Sequence, residues 1–234
     1  MPRPRPVRCA WWLELEKMSY ESFYKAATLK RLAELCAPHE WEYMEAAFNG
    51  DVDAAGSLTF RLSNDKRGAV AVAVAMWRAK VKREAFREYF SSVWEHDHHY
   101  VIDAAQTRRT LGYMFRYAAF PIPAELPDVV TLWRGTSKLT IAEAREGHSW
   151  TIDRDAACWF AMRFADINGA PLVLTAEVAK SDIALFTNAR EESEALLIRP
   201  PAAVKIDGDV TDWQIGHDRY EAKKNKRQTA LQAT

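Results

Sequence analysis

The sequence predicts an α+β protein, with a helical N-terminal region followed by a strand-rich second half. Three observations carry that expectation. Apolar residues recur at helical spacing in the first half. Prolines at Pro121, Pro123 and Pro127 then interrupt the chain, because they cannot all lie inside a helix. Beyond them the apolar residues come in short runs of strand length. Helices first and strands afterwards is the order of an α+β arrangement rather than of alternating β-α units.

Each element follows from its own pattern. Residues 19–36 carry Phe23, Ala26, Ala27, Leu32 and Leu35 among charged residues, close to the 3.6 period of a helix. One long helix or two joined ones is expected over 69–95, with Trp77, Val81, Phe90 and Trp94 inward and Lys80, Lys82, Arg83 and Arg87 outward. Another is expected at about 100–117, through Ala104, Leu111, Phe115 and Ala118. Turn formers fill Gly50 to Gly68, with Leu58–Leu62 a candidate short strand. After the prolines, strands are expected at Val129–Trp133, Leu172–Val178, Ala195–Ile198, Ala203–Ile206 and Thr211–Ile215. Ala156–Phe164 has the pattern of a helix, with Asp153 or Asp155 at its start, where a carboxylate suits the helix dipole. The expected boundaries are a helical region over 1–120, a strand-rich core over 121–218 and a basic, flexible tail over 219–234.

Composition narrows the class. The 234 residues allow one domain or two small ones, and 48% hydrophobic content is that of a globular chain with a real core. Lys+Arg and Asp+Glu both number 32, so no global field draws the protein to nucleic acid. The start, Met1 to Arg8, is basic and proline-rich and leads into no signal-like apolar run. No stretch approaches the ~20 apolar residues of a membrane span. A soluble, cytoplasmic protein without a membrane partner is therefore expected. Cys9, Cys36 and Cys158 are odd in number and widely spaced, which argues for reduced thiols rather than disulfides or zinc. His96-Asp97-His98-His99 looks like a metal cluster, but on a helix His96 and His98 diverge by about 200°. A helix end with solvent-facing or networked histidines is expected there, and no metal. The nine tryptophans, Trp11, Trp12, Trp41 and Trp77 among them, are expected to serve packing.

Three motifs suggest a single site for an anionic ligand. Leu132-Trp133-Arg134-Gly135 ends an apolar strand with a guanidinium. Ser149-Trp150-Thr151 offers two hydroxyls that share a face if extended. Glu192-Ser193-Glu194 runs into Ala195-Leu196-Leu197-Ile198 and, on a strand, would aim two carboxylates the same way.

In that order the motifs resemble the Arg-Ser-Glu class of mono-ADP-ribosyltransferases, the arginine-specific, clostridial C2-toxin-like group with bacterial and phage members. The resemblance covers about residues 128–216. It implies a split β-sheet ADP-ribosyltransferase core at 121–218 and NAD as the consumed co-substrate, without a metal. Glu194 would be the catalytic carboxylate, stabilising an oxocarbenium-like ribose. Glu192 would receive the acceptor; relatives with glutamate here usually modify arginine, whereas glutamine goes with other acceptors. Arg134 would hold phosphate or ribose oxygens, and Gly135 would let the main chain approach the nicotinamide amide. Ser149 would orient Glu194, and Thr151 would support the nicotinamide pocket. Ser-Trp-Thr stands where the family more often has Ser-Thr-Ser, with Trp150 a candidate packing residue. Ser181 to Arg190 matches the family's target-recognition loop, with Phe186 as an exposed aromatic for substrate contact.

The implied partners are NAD and a macromolecular target, a protein arginine before a nucleic acid, with an antitoxin or immunity protein as a further candidate. Basic residues outnumber acidic ones over 61–90 and 219–227, which keeps a nucleic-acid acceptor open. A non-catalytic NAD-binding or interaction protein is the rival from another class. Intact Arg134, Ser149 and Glu194 argue against it.

Overall fold

The computed structural model describes residues 25, 28–30, 32, 38–62, 66–188 and 191–232; most of the helix expected at 19–36, with Trp11 and Trp12, lies outside them. The chain divides into two compact units, Met1–Ala119 and Phe120–Thr234. The first is helical and the second holds a six-stranded antiparallel sheet, an α+β composition.

In the first unit α1 spans Pro38–Phe48, α2 Val52–Arg61, α3 Lys66–Arg78, α4 Arg83–Ala105 and α5 Arg108–Ala118. Leu58 and its neighbours belong to α2, not to a strand. Asp51 caps that helix by accepting from the Ala54 N–H at 2.9 Å, and Ala54, Ala55 and Leu58 bury one helical face. The pattern at 69–95 resolves into two helices separated at Lys80, whose φ of 51° no helix continues. The helix expected at 100–117 is likewise divided. Gln106 turns left-handed at φ 61°, and Thr107 caps α5 by accepting from the Thr110 N–H. Rings hold the unit together: Phe86 stacks on Phe90 at 5.0 Å, and Phe90 and Trp94 both meet Phe115.

The histidine run lies at a kink within α4, where one helical segment ends and the next begins. Asp97 leaves helical geometry there (φ −136°, ψ 27°) and pairs with Lys66 Nζ at 3.3 Å, while His98 packs on Trp94. Among the described residues no three His, Cys, Asp or Glu side chains converge as metal ligands would. No described helix is long and apolar enough to cross a membrane.

The second unit runs β1 Val129–Ser137, α6 Ile141–Arg145, β2 Ser149–Thr151, α7 Arg154–Met162, α8 Ala165–Asn168, β3 Pro171–Ala179, β4 Ile183–Thr187, β5 Glu194–Leu197, β6 Lys205–Ile206 and α9 Val210–Gln232. The strand order is β4-β5-β2-β1-β3-β6. Alternation along the strands makes two faces. One collects Val130, Leu132, Trp150, Leu174, Ala195 and Leu197; the other packs Trp133 and Val173 on Ala157, Cys158 and Ala161 of α7 and on Trp213 of α9. Asp153 caps α7 through the N–H groups of Asp155 and Ala156.

Two expectations for the C-terminus are overturned. Thr211–Ile215 is the first part of α9, not a strand, and the flexible tail expected at 219–234 is helical as far as Gln232. The reason is a stripe at helical spacing: Trp213, Gly216 and Tyr220 face the same way, two buried rings flanking a glycine. A Cβ on Gly216 would lie 2.7 Å from Cys158 Sγ, so the glycine lets α9 close on α7. Arg219 to Asp155 (2.7 Å), Lys223 to Asp153 (3.1 Å) and Trp159 Nε1 to Glu221 (2.8 Å) extend the contact.

Candidate functional site

The register of three neighbouring strands brings Ser149, Thr151 and Glu194 to one face of the sheet and leaves Arg134 on the other. Trp133 on β1 pairs with Thr151 on β2, and Thr151 pairs with Glu194 on β5. On the outer side Thr187 of β4 pairs with Glu194. Glu194 is 7% exposed and Thr151 5%, unusual burial for a carboxylate and a hydroxyl.

Arg134 leaves β1 on the face opposite to Trp133 and is drawn inward rather than solvated. Its Nη1 donates to the Ser149 carbonyl at 2.5 Å. Gly147 makes room for it, since a Cβ there would stand 2.0 Å from the guanidinium carbon. Burial pulls the Arg134 guanidinium below its ordinary pKa, and the negative charge of Glu194 offsets part of that. Arg134 Nε and the neighbouring Trp133 Nε1 are buried without a hydrogen-bond partner among the described residues. A buried donor in that state is one an incoming acceptor would satisfy.

Several assignments change in detail. Ser149 shares the face of Glu194 but pairs with Leu196, two residues along the ladder, so the residue opposite Glu194 is Thr151. The Thr151 hydroxyl donates to the Glu192 carbonyl at 2.6 Å and accepts from the Asp153 N–H at 2.9 Å. It therefore joins β2 to the glutamate turn. Gly135 is small for the sake of α7: a Cβ would come within 1.7 Å of the Ala157 carbonyl oxygen. What approaches Gly135 closely is a helix backbone of the protein itself. Trp150 is core, its Nε1 donating to the Gly147 carbonyl at 3.0 Å.

Glu192 does not lie on a strand. β5 begins at Glu194, and Ser193 between the two glutamates has φ 46°, with Glu191 at φ 60°. Strand alternation therefore does not set the direction of Glu192, which sits half-buried in a tight turn. Phe186 is likewise not on a loop. It belongs to β4, pairs with Ala195 and packs against the apolar face of the sheet, because a bulge between Ile183 and Leu185 turns it inward. Residues that the sequence did not single out are Gly147, which cradles Arg134, and Asn188 and Tyr220, which hold the glutamate turn. Glycine before a histidine and an asparagine at a strand end are weak signals, and Tyr220 gave none because its contact spans 29 residues.

The fold and site thus define a two-unit α+β protein whose sheet buries a glutamate on β5 and carries an arginine on β1, with β2 between them. Comparison of the chain with protein-family models, with curated proteins and with solved structures finds no match.

Proposed function

We propose that the sheet unit is the catalytic core of an NAD-dependent mono-ADP-ribosyltransferase of the Arg-Ser-Glu class, acting in the cytoplasm on a protein arginine. The observation that supports this most is the buried pairing of Glu194 with Thr151, with Arg134 two strands away on β1. Burying a carboxylate is expensive unless its charge is answered or used.

The chemistry follows from the charges. When the bond between nicotinamide and ribose C1′ breaks, the electron pair leaves with nicotinamide and positive character develops on the ribose. The Glu194 carboxylate, largely withdrawn from water, stabilises that cation and accepts from a ribose hydroxyl. Arg134 still has an Nε–H to offer a phosphate or ribose oxygen. Glu192, in the adjoining turn, orients an acceptor guanidinium, whose nitrogen attacks C1′ and gives up a proton.

A nucleic-acid acceptor is the second reading, favoured by the surface depression of α9 lined by Arg219, Ala222, Lys223 and Lys226. Two of those cations are already paired with Asp155 and Asp153, which weakens their pull on phosphate. Incubation with labelled NAD and a cell lysate, followed by separate protease and nuclease digestion, tests both. Label lost only to protease supports the protein acceptor, and label lost only to nuclease supports the second reading. No nicotinamide release and no label under any condition would sink the transferase proposal.

A further inference from the structure

The turn that carries Glu192 is strained. Glu191 (φ 60°) and Ser193 (φ 46°) flank it in the left-handed region, where a residue with a Cβ loses about 1–2 kcal/mol relative to the right-handed one. Two such residues around one side chain persist only when their surroundings over-determine them. Here they do. The three successive carbonyls of Glu191, Glu192 and Ser193 each accept a hydrogen bond from a different donor: the Tyr220 hydroxyl (3.3 Å), the Thr151 hydroxyl (2.6 Å) and the Ile152 N–H (3.2 Å). On the opposite side Asn188 Oδ1 accepts from both the N–H (3.0 Å) and the hydroxyl (3.2 Å) of Ser193, while the Asn188 carbonyl takes the Glu191 N–H.

Tyr220 is well placed to act as a fixed post. It is 3% exposed, its ring lies against Trp159 with centroids 5.8 Å apart, and α9 is tied to α7 on either side of it through Arg219 and Lys223. The partner of Lys223 is Asp153, whose own N–H reaches the Thr151 hydroxyl. The C-terminal helix, the cap of α7 and β2 thus converge on the same three peptide groups. Strand pairing orients Glu194, and this brace holds the backbone that carries Glu192.

Resting on the transferase reading above, we propose that Tyr220 and Asn188 are positioning residues for the Glu192 turn. Through that turn the C-terminal helix sets how ADP-ribose divides between the macromolecular acceptor and water. Hydrolysis needs only Glu194 and a water molecule, which finds its own orientation. Transfer needs Glu192 held in one place.

Tyr220→Phe removes the hydroxyl and keeps the ring. Asn188→Ala removes the Oδ1 acceptor, whereas Asn188→Asp keeps an oxygen there. The experiment measures nicotinamide release and labelling of an arginine analogue in parallel, together with amide hydrogen exchange of residues 191–194. Losing one hydrogen bond of about 1 kcal/mol corresponds to about a fivefold change. The ratio of transfer to hydrolysis should fall by about that factor in Tyr220→Phe, fall further in Asn188→Ala, which loses two such bonds, and stay near wild type in Asn188→Asp. Exchange should quicken in the turn alone. Unchanged exchange in Tyr220→Phe would overturn the brace. Faster exchange with an unchanged ratio, or equal falls in both rates, would overturn its role in partition. Faster exchange in a protein whose wild type releases no nicotinamide would uphold the brace and overturn the transferase reading instead.

Discussion

Each of the two units buries an acidic side chain, and each does so differently. In the helical unit it is Asp97, at the kink of α4, answered by Lys66. Lys66 is itself half exposed, so the pair opens to water. In the sheet unit it is Glu194, in regular pairing between β2 and β4, beside the buried hydroxyl of Thr151. In the first unit the carboxylate sits at a helix kink and meets a lysine of another helix, at the edge of solvent. In the second it sits inside a strand ladder, where β2 and β5 place Thr151 and Glu194 side by side. Buried charge in the first unit is one ion pair open to water; in the second it is held within regular pairing.

The contrast fails most visibly if Glu194 is merely structural. Glu194→Gln keeps the shape and removes the charge, and nicotinamide release should fall by about 100- to 1000-fold with the circular dichroism spectrum unchanged. Activity within a few-fold of wild type would put Glu194 on a par with Asp97.

Next in size is a change that acts on assembly rather than on charge. Gly135→Ala sets a Cβ against the Ala157 carbonyl oxygen and must push β1 away from α7. A loss of about 3 kcal/mol is expected in urea unfolding. A midpoint equal to wild type would show that β1 and α7 do not meet as closely as described.

Asp97→Asn sharpens the comparison from the other side. Removing one charge from a pair with a solvent-exposed partner should lower stability by about 1 kcal/mol, seen as a drop of a few degrees in the thermal midpoint. An effect several times larger would mean that Asp97 is as deeply committed as Glu194.

The last effect is one of pH, and near neutrality it vanishes. Burial pushes the Cys158 thiol up to about 11, from 9.0, with Arg154 pulling the other way. The folded state therefore holds its proton after the unfolded chain has lost it, and stability should be level below pH 9 and decline between about 9 and 11. Cys158 should also resist alkylation at pH 8 until the protein unfolds. Rapid labelling of the native protein at that pH would contradict its place under α9.

Much of the second unit was legible because its signals are local. The run Val129 to Trp133 is β-branched and apolar, Asp153 precedes a helical pattern, and the prolines at 121, 123 and 127 mark the boundary that the structure draws at Ala119 and Phe120. The misjudged elements share a cause. Leu58–Leu62 and Thr211–Ile215 are short apolar runs that suit strand or helix equally well, and they became helical because Leu58 and Trp213 each had a helical face to bury. The pattern at 219–227 suggested a loose tail because its basic residues are visible in sequence, whereas Asp153, Asp155 and Trp159, which hold it, are more than 50 positions away.

The same division runs through the site. Which groups are available follows from the sequence alone: an arginine within β1, hydroxyls on β2, glutamates at and before the start of β5, and glycines where the backbone must come close. Their order also fixes which strands carry them. Only the tertiary structure decided what each group does. Ladder register chose Thr151 over Ser149 as the neighbour of Glu194, a missing Cβ at Gly147 let Arg134 fold inward, and left-handed residues on either side of Glu192 took it off the strand. The physical reason is range: propensity and spacing act over a few residues, whereas burial, register and strain are set by segments that meet only when the chain is folded.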